Sequence, residues 1–167
     1  MKKKLLSIAL SSLVVVSLFI GCSNKKNNEN TTVPTNMVSV EHAMGTTEIP
    51  TNPQKVVILT SEGTEALLAL GVKPVGAVTG VTGDWYDHTK DELEGVKQVG
   101  MEREPNIEAI AALKPDLIIG NKMRHEKIYS QLSSIAPTVY SDTIRGAWKD
   151  NFKFYAKVLY KESESAK

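Results

Sequence analysis

A chain of 167 residues has room for one domain, and with 20 Lys and Arg against 19 Asp and Glu it carries no surplus of positive charge. The lysines at positions 2, 3 and 4 contribute +3 to a net charge of +1, which leaves −2 on the rest and excludes nucleic acid as a partner. Cys22 is the sole cysteine, so an intramolecular disulfide is excluded as well.

Met1–Gly21 reads as a lipoprotein signal peptide: Lys2, Lys3 and Lys4 form a basic start, Leu5–Ile20 an apolar core, and Phe19-Ile20-Gly21-Cys22 a cleavage box. The apolar core has 16 residues, short of the roughly 20 that span a bilayer. Cys22 is therefore the expected site of lipidation, which tethers the protein to the extracytoplasmic face of the cell membrane. Residues 22–37 then form a flexible tether, because Ser23–Thr35 (SNKKNNENTTVPT) has almost no apolar content to bury.

Val38–Glu48 alternates apolar and polar residues around Met44-Gly45, the pattern of a two-stranded hairpin. Lys55–Leu59 (KVVIL) is a buried strand, and Thr60–Gly63 turns it into a helix with Ala66, Leu67 and Leu70 inward and Gly71 at its end. Val75–Val78 and Lys97–Val99 are further strands, separated by the loop Thr79–His88. Asn106 is the N-cap of a helix ending at Leu113, and Lys114-Pro115 stops it before the strand Leu117–Ile119. Glu126–Ser134 places Ile128, Leu132 and Ile135 on one helix face, Thr138–Tyr140 is a strand, and Trp148 starts a last helix bearing Phe152, Tyr155 or Ala156, and Leu159 inward. Strands alternating with helices over short connections predict an α/β fold with a mostly parallel sheet flanked by helices.

In such a sheet, ligands bind outside the carboxyl ends of the strands. The loops expected there are Thr60–Gly63, Thr79–His88, Gly100–Pro105, Asn121–His125 and Ser141–Trp148. They hold Trp85, Tyr86, Lys122, Arg124, Arg145 and Trp148, the candidate ligand-binding residues. Lys122 and Arg124 stand out because a helix start disfavours positive charge. His125 reads as solvated or capping, since no second histidine or carboxylate stands at metal-ligand spacing nearby. The chain has no GxGxxG after its first strand, no GxxxxGK[ST], no GxSxG and no HExxH, so an enzyme is not expected.

The run NIEAIAALKPDLIIG (Asn106–Gly120) resembles a segment of the substrate-binding lipoproteins of ABC importers for ferric siderophores, haem and cobalamin, the cluster-III or helical-backbone type. PQKVVILTSEGTEALLALGVKPVG and HAMGTTEIP resemble the first strand–helix–strand and the opening hairpin of that family. KMRHEKIYSQLSSIAPTV and GAWKDNFKFYAKVL look closest to hydroxamate-siderophore receptors of Gram-positive bacteria. The resemblance implies the N-terminal lobe of a two-lobed type III periplasmic-binding fold over residues 38–147. It makes residues 148–167 the start of the interlobe helix, with the second lobe absent, as in a truncated product or an N-terminal fragment.

The same resemblance implies capture of a ferric siderophore of hydroxamate or citrate-hydroxamate type and delivery to a membrane permease. A haem or cobalamin receptor and a folded, non-transporting remnant are the alternatives. Iron is expected already wrapped by its chelator, with no resident cofactor and no protein ligand to the metal. Guanidinium and ammonium groups answer the chelate's oxygens, and aromatic faces cover its apolar linkers. By resemblance, Arg145 and Trp148 face ligand and Glu108 docks with a permease arginine, Glu102 and Glu104 being alternatives on the same rim. Glu108 also suits its own helix start, a placement worth about 0.3–1 kcal/mol.

Overall fold

A computed structural model describes residues 36–144 and 146–164. The signal peptide, Cys22 and Arg145 lie outside the described residues. Among the described residues no helix is long and apolar enough to cross a membrane.

The chain first forms a hairpin, β1 (Met37–His42) with β2 (Gly45–Pro50), paired from Met37↔Pro50 to His42↔Gly45. Its turn is Ala43-Met44, one residue earlier than the pattern suggested. The Met44 N–H donates to His42 Nδ1 at 3.3 Å, which closes the turn over the His42 ring. The first strand of the main sheet is β3 (Val56–Ile58), buried throughout, and it feeds α1 (Ser61–Ala69). Thr60 caps that helix, its Oγ1 accepting from the Gly63 N–H at 3.0 Å. Gly63 lets α1 lie this close to β3: a Cβ there would stand 2.6 Å from both Ile58 Cδ1 and Thr60 Oγ1.

Next come β4 (Gly76–Thr79), β5 (Lys97–Met101), β6 (Glu104–Pro105) and α2 (Ile107–Ala112), the last capped by Asn106 Oδ1 accepting from the Ala109 N–H at 2.8 Å. The second half of the chain is β7 (Leu117–Asn121), α3 (Lys122–His125), a 3-10 turn (Glu126–Ile128), α4 (Tyr129–Ser133), β8 (Thr138–Ser141) and α5 (Trp148–Val158).

The main sheet has six strands in the order β6-β5-β4-β3-β7-β8, and every pairing is parallel except β5 with β6. The expected α/β architecture with a mostly parallel sheet is thus present. Period-two alternation divides its apolar side chains between two cores. Ile58, Leu67, Leu117, Ile119 and Val139 join Tyr155 and Ala156 of α5 on one side. Leu59, Val99, Ile118 and Tyr140 join Ile110 of α2 and Leu132 of α4 on the other. The hairpin seats on the β8 edge, where the Ala43 N–H donates to Tyr140 O at 3.0 Å and the Tyr140 N–H donates to His42 Nδ1 at 3.2 Å. Covering an edge in this way withdraws its unpaired backbone groups from solvent.

Two local readings are corrected. The loop Gly100–Pro105 is a tight turn joining β5 to an antiparallel edge strand, made possible by Gly100 at φ +92°. The helix expected from Glu126 begins at Lys122 and is broken by a 3-10 turn, so Lys122, Arg124 and His125 stand on a helix instead of a loop.

Candidate functional site

The strand order places a switch point beside β3. The chain moves outward from β3 through β4 and β5, then returns to lay β7 against the other side of β3. Crevices form outside the carboxyl ends of strands at such a point. Here those ends deliver Thr60 and Ser61 from β3, and Asn121 followed by α3 from β7.

The β5–β6 turn folds over this crevice, and Glu102 lies at its centre. Its N–H donates to Thr79 O at 3.2 Å. Its carbonyl accepts from His125 Nε2 at 2.8 Å, and its carboxylate accepts from the Ser61 N–H at 3.0 Å and from Arg124 Nε at 3.3 Å. Ser61 opens α1, so the carboxylate also meets the positive end of that helix. The Glu102 and Arg124 side chains are only 21% and 24% exposed, which shields the pair from water.

His125 is buried and so not solvated, but it does cap: its ring accepts from the N–H of Asn121, the N-cap residue of α3. The Asn121 N–H donates to its Nδ1 at 3.2 Å, so its proton sits on Nε2, facing Glu102 O. Burial lowers its pKa below the ordinary 6.5, the Glu102 carbonyl and carboxylate pull it upward, and Arg124 pushes it down. Neutral His125 therefore pins the β5–β6 turn to the end of β7.

A second polar cluster underlies the crevice and ties α5 to it. Asn121 Nδ2 donates to Ser141 Oγ at 3.0 Å, and Ser141 Oγ lies 3.3 Å from Tyr155 Oη. Asn121 Oδ1 is buried without a partner among the described residues. Asn151 Nδ2 donates to Glu62 Oε2 at 3.1 Å and to Thr143 O at 2.6 Å. Burial raises the Glu62 pKa, partly offset by the Asn151 hydrogen bond, and burial pushes Tyr155 up to about 12.

Above the crevice opens a cavity of about 570 Å³, lined by Tyr86, Met101, Glu102, Arg103, Glu104 and Arg124, with Val81 at its mouth. Two guanidinium and two carboxylate side chains thus share a wall with exposed apolar ones, Val81, Tyr86 and Met101. Such a surface suits a bulky ligand that presents oxygens and apolar linkers together. Among the described residues no group of three or more His, Cys, Asp or Glu could hold a metal ion.

The structure brings two of the candidates, Tyr86 and Arg124, to this cavity. Trp85 packs half-buried against the core on the α1 and α5 side, and lines only a void of about 10 Å³ beside Tyr86. Lys122 is half-buried at the start of α3, outside the cavity lining. Trp148 is 58% exposed at the start of α5, with Lys149 Nζ 5.4 Å from its ring centroid. Glu108 is exposed in the first turn of α2 and borders a different groove, also about 570 Å³, with Gln98, Glu104 and Pro105. Glu102, an alternative for the docking rim, has its carboxylate committed to Ser61 and Arg124. Sequence reasoning missed Met101, Arg103 and Val81 as cavity residues; the charged triplet Glu102-Arg103-Glu104 was the available signal.

Comparison with known proteins places the chain in a family. YfiY of Bacillus subtilis (strain 168), whose name describes a siderophore-binding lipoprotein, is 54% identical over 95% of this chain and 50% of its own length. YfmC of the same organism, named as an Fe(3+)-citrate-binding protein, is 34% identical over 96% of this chain and 51% of its own. The crystal structure of Staphylococcus aureus SirA complexed with staphyloferrin B matches with a TM-score of 0.73 and 48% identity, covering 77% of this chain and 44% of SirA. The chain therefore spans about half the length of the relatives it matches, and its fold is that seen in type III periplasmic binding proteins. The profile of the periplasmic binding protein family matches residues 56–167. Profile, relatives and sheet topology converge, and the chain belongs to the periplasmic binding protein family.

Proposed function

We propose that this chain is the part of a siderophore-binding lipoprotein of an ABC importer that receives a ferric chelate at the carboxyl end of its sheet. The observation that carries the reading is the cavity of about 570 Å³ in which Arg124 and Arg103 stand among Tyr86, Val81 and Met101. Of the expected hydroxamate or citrate-hydroxamate chelators, relatives named for Fe(3+)-citrate and Fe(3+) dicitrate support one that presents citrate carboxylates. Bidentate donation from arginine matches carboxylate oxygens in both geometry and charge. The iron arrives wrapped, and protein contacts fall on the chelator.

Lipidation at Cys22 keeps the receptor at the extracytoplasmic face of the membrane, a reading supported by relatives named as lipoproteins. Exposed Glu108 is the acidic contact for a permease arginine, at a groove separate from the chelate. A tryptophan-fluorescence titration of the purified full chain, kept in mild detergent, tests the ligand class. Ferric citrate, a neutral ferric trihydroxamate and a ferric catecholate are compared, with iron-free chelators as controls. Saturable quenching by ferric citrate at micromolar concentration, with iron-free citrate silent, is expected. A cooperatively folded protein that saturates with none of them contradicts the reading.

A further inference from the structure

We infer that Glu102 is a positioning residue for chelate recognition, fixing the Arg124 guanidinium in advance so that both Nη groups remain for an incoming carboxylate. Glu102 is itself anchored at every polar group it owns: its N–H to Thr79 O, its carbonyl to His125 Nε2, one carboxylate oxygen to the Ser61 N–H and the other to Arg124 Nε. With its backbone fixed by Thr79 and His125 and its carboxylate held by the Ser61 N–H, Glu102 does not swing with its partner. It consumes only the Nε–H of Arg124, and no other hydrogen bond or ion pair of that guanidinium occurs among the described residues. Arg124 lines the cavity, so the remaining donors are available there.

An arginine left free must lose rotamer freedom when it grips a ligand, and that loss subtracts from affinity. Here the ordering is completed on folding. Elementary electrostatics predicts the reverse effect for the same residue. A carboxylate lining the wall of an anion site repels the ligand, so a mere counter-charge weakens binding by its presence. The two roles differ in sign.

The inference is tested on the full chain with Glu102→Ala, Glu102→Gln and Glu102→Asp. Glutamine keeps one acceptor of the same reach without the charge, enough for Arg124 Nε or the Ser61 N–H but not both, and aspartate keeps the charge but is too short to bridge Ser61 and Arg124. The first readout needs no ligand: the Nε–H signal of Arg124 in nitrogen-15 NMR, assigned by its loss in Arg124→Ala. It is expected to be ordered and slowly exchanging in the wild type, intermediate in E102Q, and mobile in E102A and E102D. An equally ordered signal in E102A and E102D overturns the inference.

The second readout compares ferric citrate with a neutral ferric trihydroxamate. Loss of at least about tenfold in ferric citrate affinity is expected in E102A and E102D, with a smaller loss in E102Q and the neutral chelate little changed. Tighter ferric citrate binding in both E102A and E102Q assigns Glu102 the counter-charge role and overturns the inference. Equal loss for both chelates assigns it a purely structural role and does the same. The binding readout rests on the receptor reading, whereas the NMR readout does not. If the wild type binds neither chelate, that reading falls and the Arg124 signal alone decides.

Discussion

Two imidazoles hold loops of this fold through their unprotonated nitrogens. His42 Nδ1 accepts from the N–H groups of Met44 and Tyr140, and His125 Nδ1 accepts from the Asn121 N–H. A proton on either Nδ1 replaces an acceptor with a donor facing a donor. Burial accordingly lowers both pKa values below 6.5. The native state then binds fewer protons than the unfolded chain below that value, so the stability these rings contribute is complete above about pH 6.5 and lost progressively beneath it. Denaturant melts between pH 7.5 and 5 should show stability falling by up to about 1.4 kcal/mol per pH unit for each ring, with a shallower fall in His125→Gln. A flat profile contradicts the assigned protonation states. The N-cap Asn106 was legible from sequence because its partner, Ala109, is three residues away. The burial of His125 was not, because its partner Glu102 comes from another element. The same distance hid the start of α3, where clustered Lys122 and Arg124 argue against a helix until Glu102 arrives to compensate.

At the scale of elements, the short turn between β5 and β6 does more for the crevice than any helix. It carries Glu102 over the switch point and depends on Gly100, whose φ of +92° is unfavourable for any residue with a Cβ. A Cβ there would also stand 2.6 Å from Glu104 O. Gly100→Ala should therefore cost at least about 1–2 kcal/mol, and should weaken ferric citrate binding beyond what a surface substitution does. Urea melts and the fluorescence titration measure both; wild-type values in each contradict the role given to the turn. The parallel strands were readable because each is an uninterrupted apolar run between turn signals. The β6 strand was not, since two residues, one of them proline, give no periodicity. The hairpin was readable from alternation, while its seat on β8 depends on the His42 ring.

For the molecule as a whole, the sheet divides its ends by chemistry. Val81, Tyr86, Met101, Met123 and Trp148, five of the large exposed apolar side chains, all lie in or beside segments that follow the carboxyl ends of strands. At the opposite ends, polar contacts such as the Asp116 carboxylate accepting from the Gln54 and Lys55 N–H groups close the surface. The rule for parallel sheets pointed to the carboxyl ends from sequence alone, and it could not choose between the two grooves near β5. Cavity size does not separate them, as both are about 570 Å³. Charge and apolar exposure do, and favour the groove with Arg124. High-spin ferric iron broadens nearby NMR signals, so an amide map of the chain with ferric citrate, referenced to the gallium complex, tests the account most directly. The account predicts selective broadening at Ser61, Gly80, Tyr86, Glu102 and Arg124, with Glu108 and Lys55 spared. Broadening centred on Gln98, Asn106 and Glu108, or spread evenly over the sheet, would contradict it.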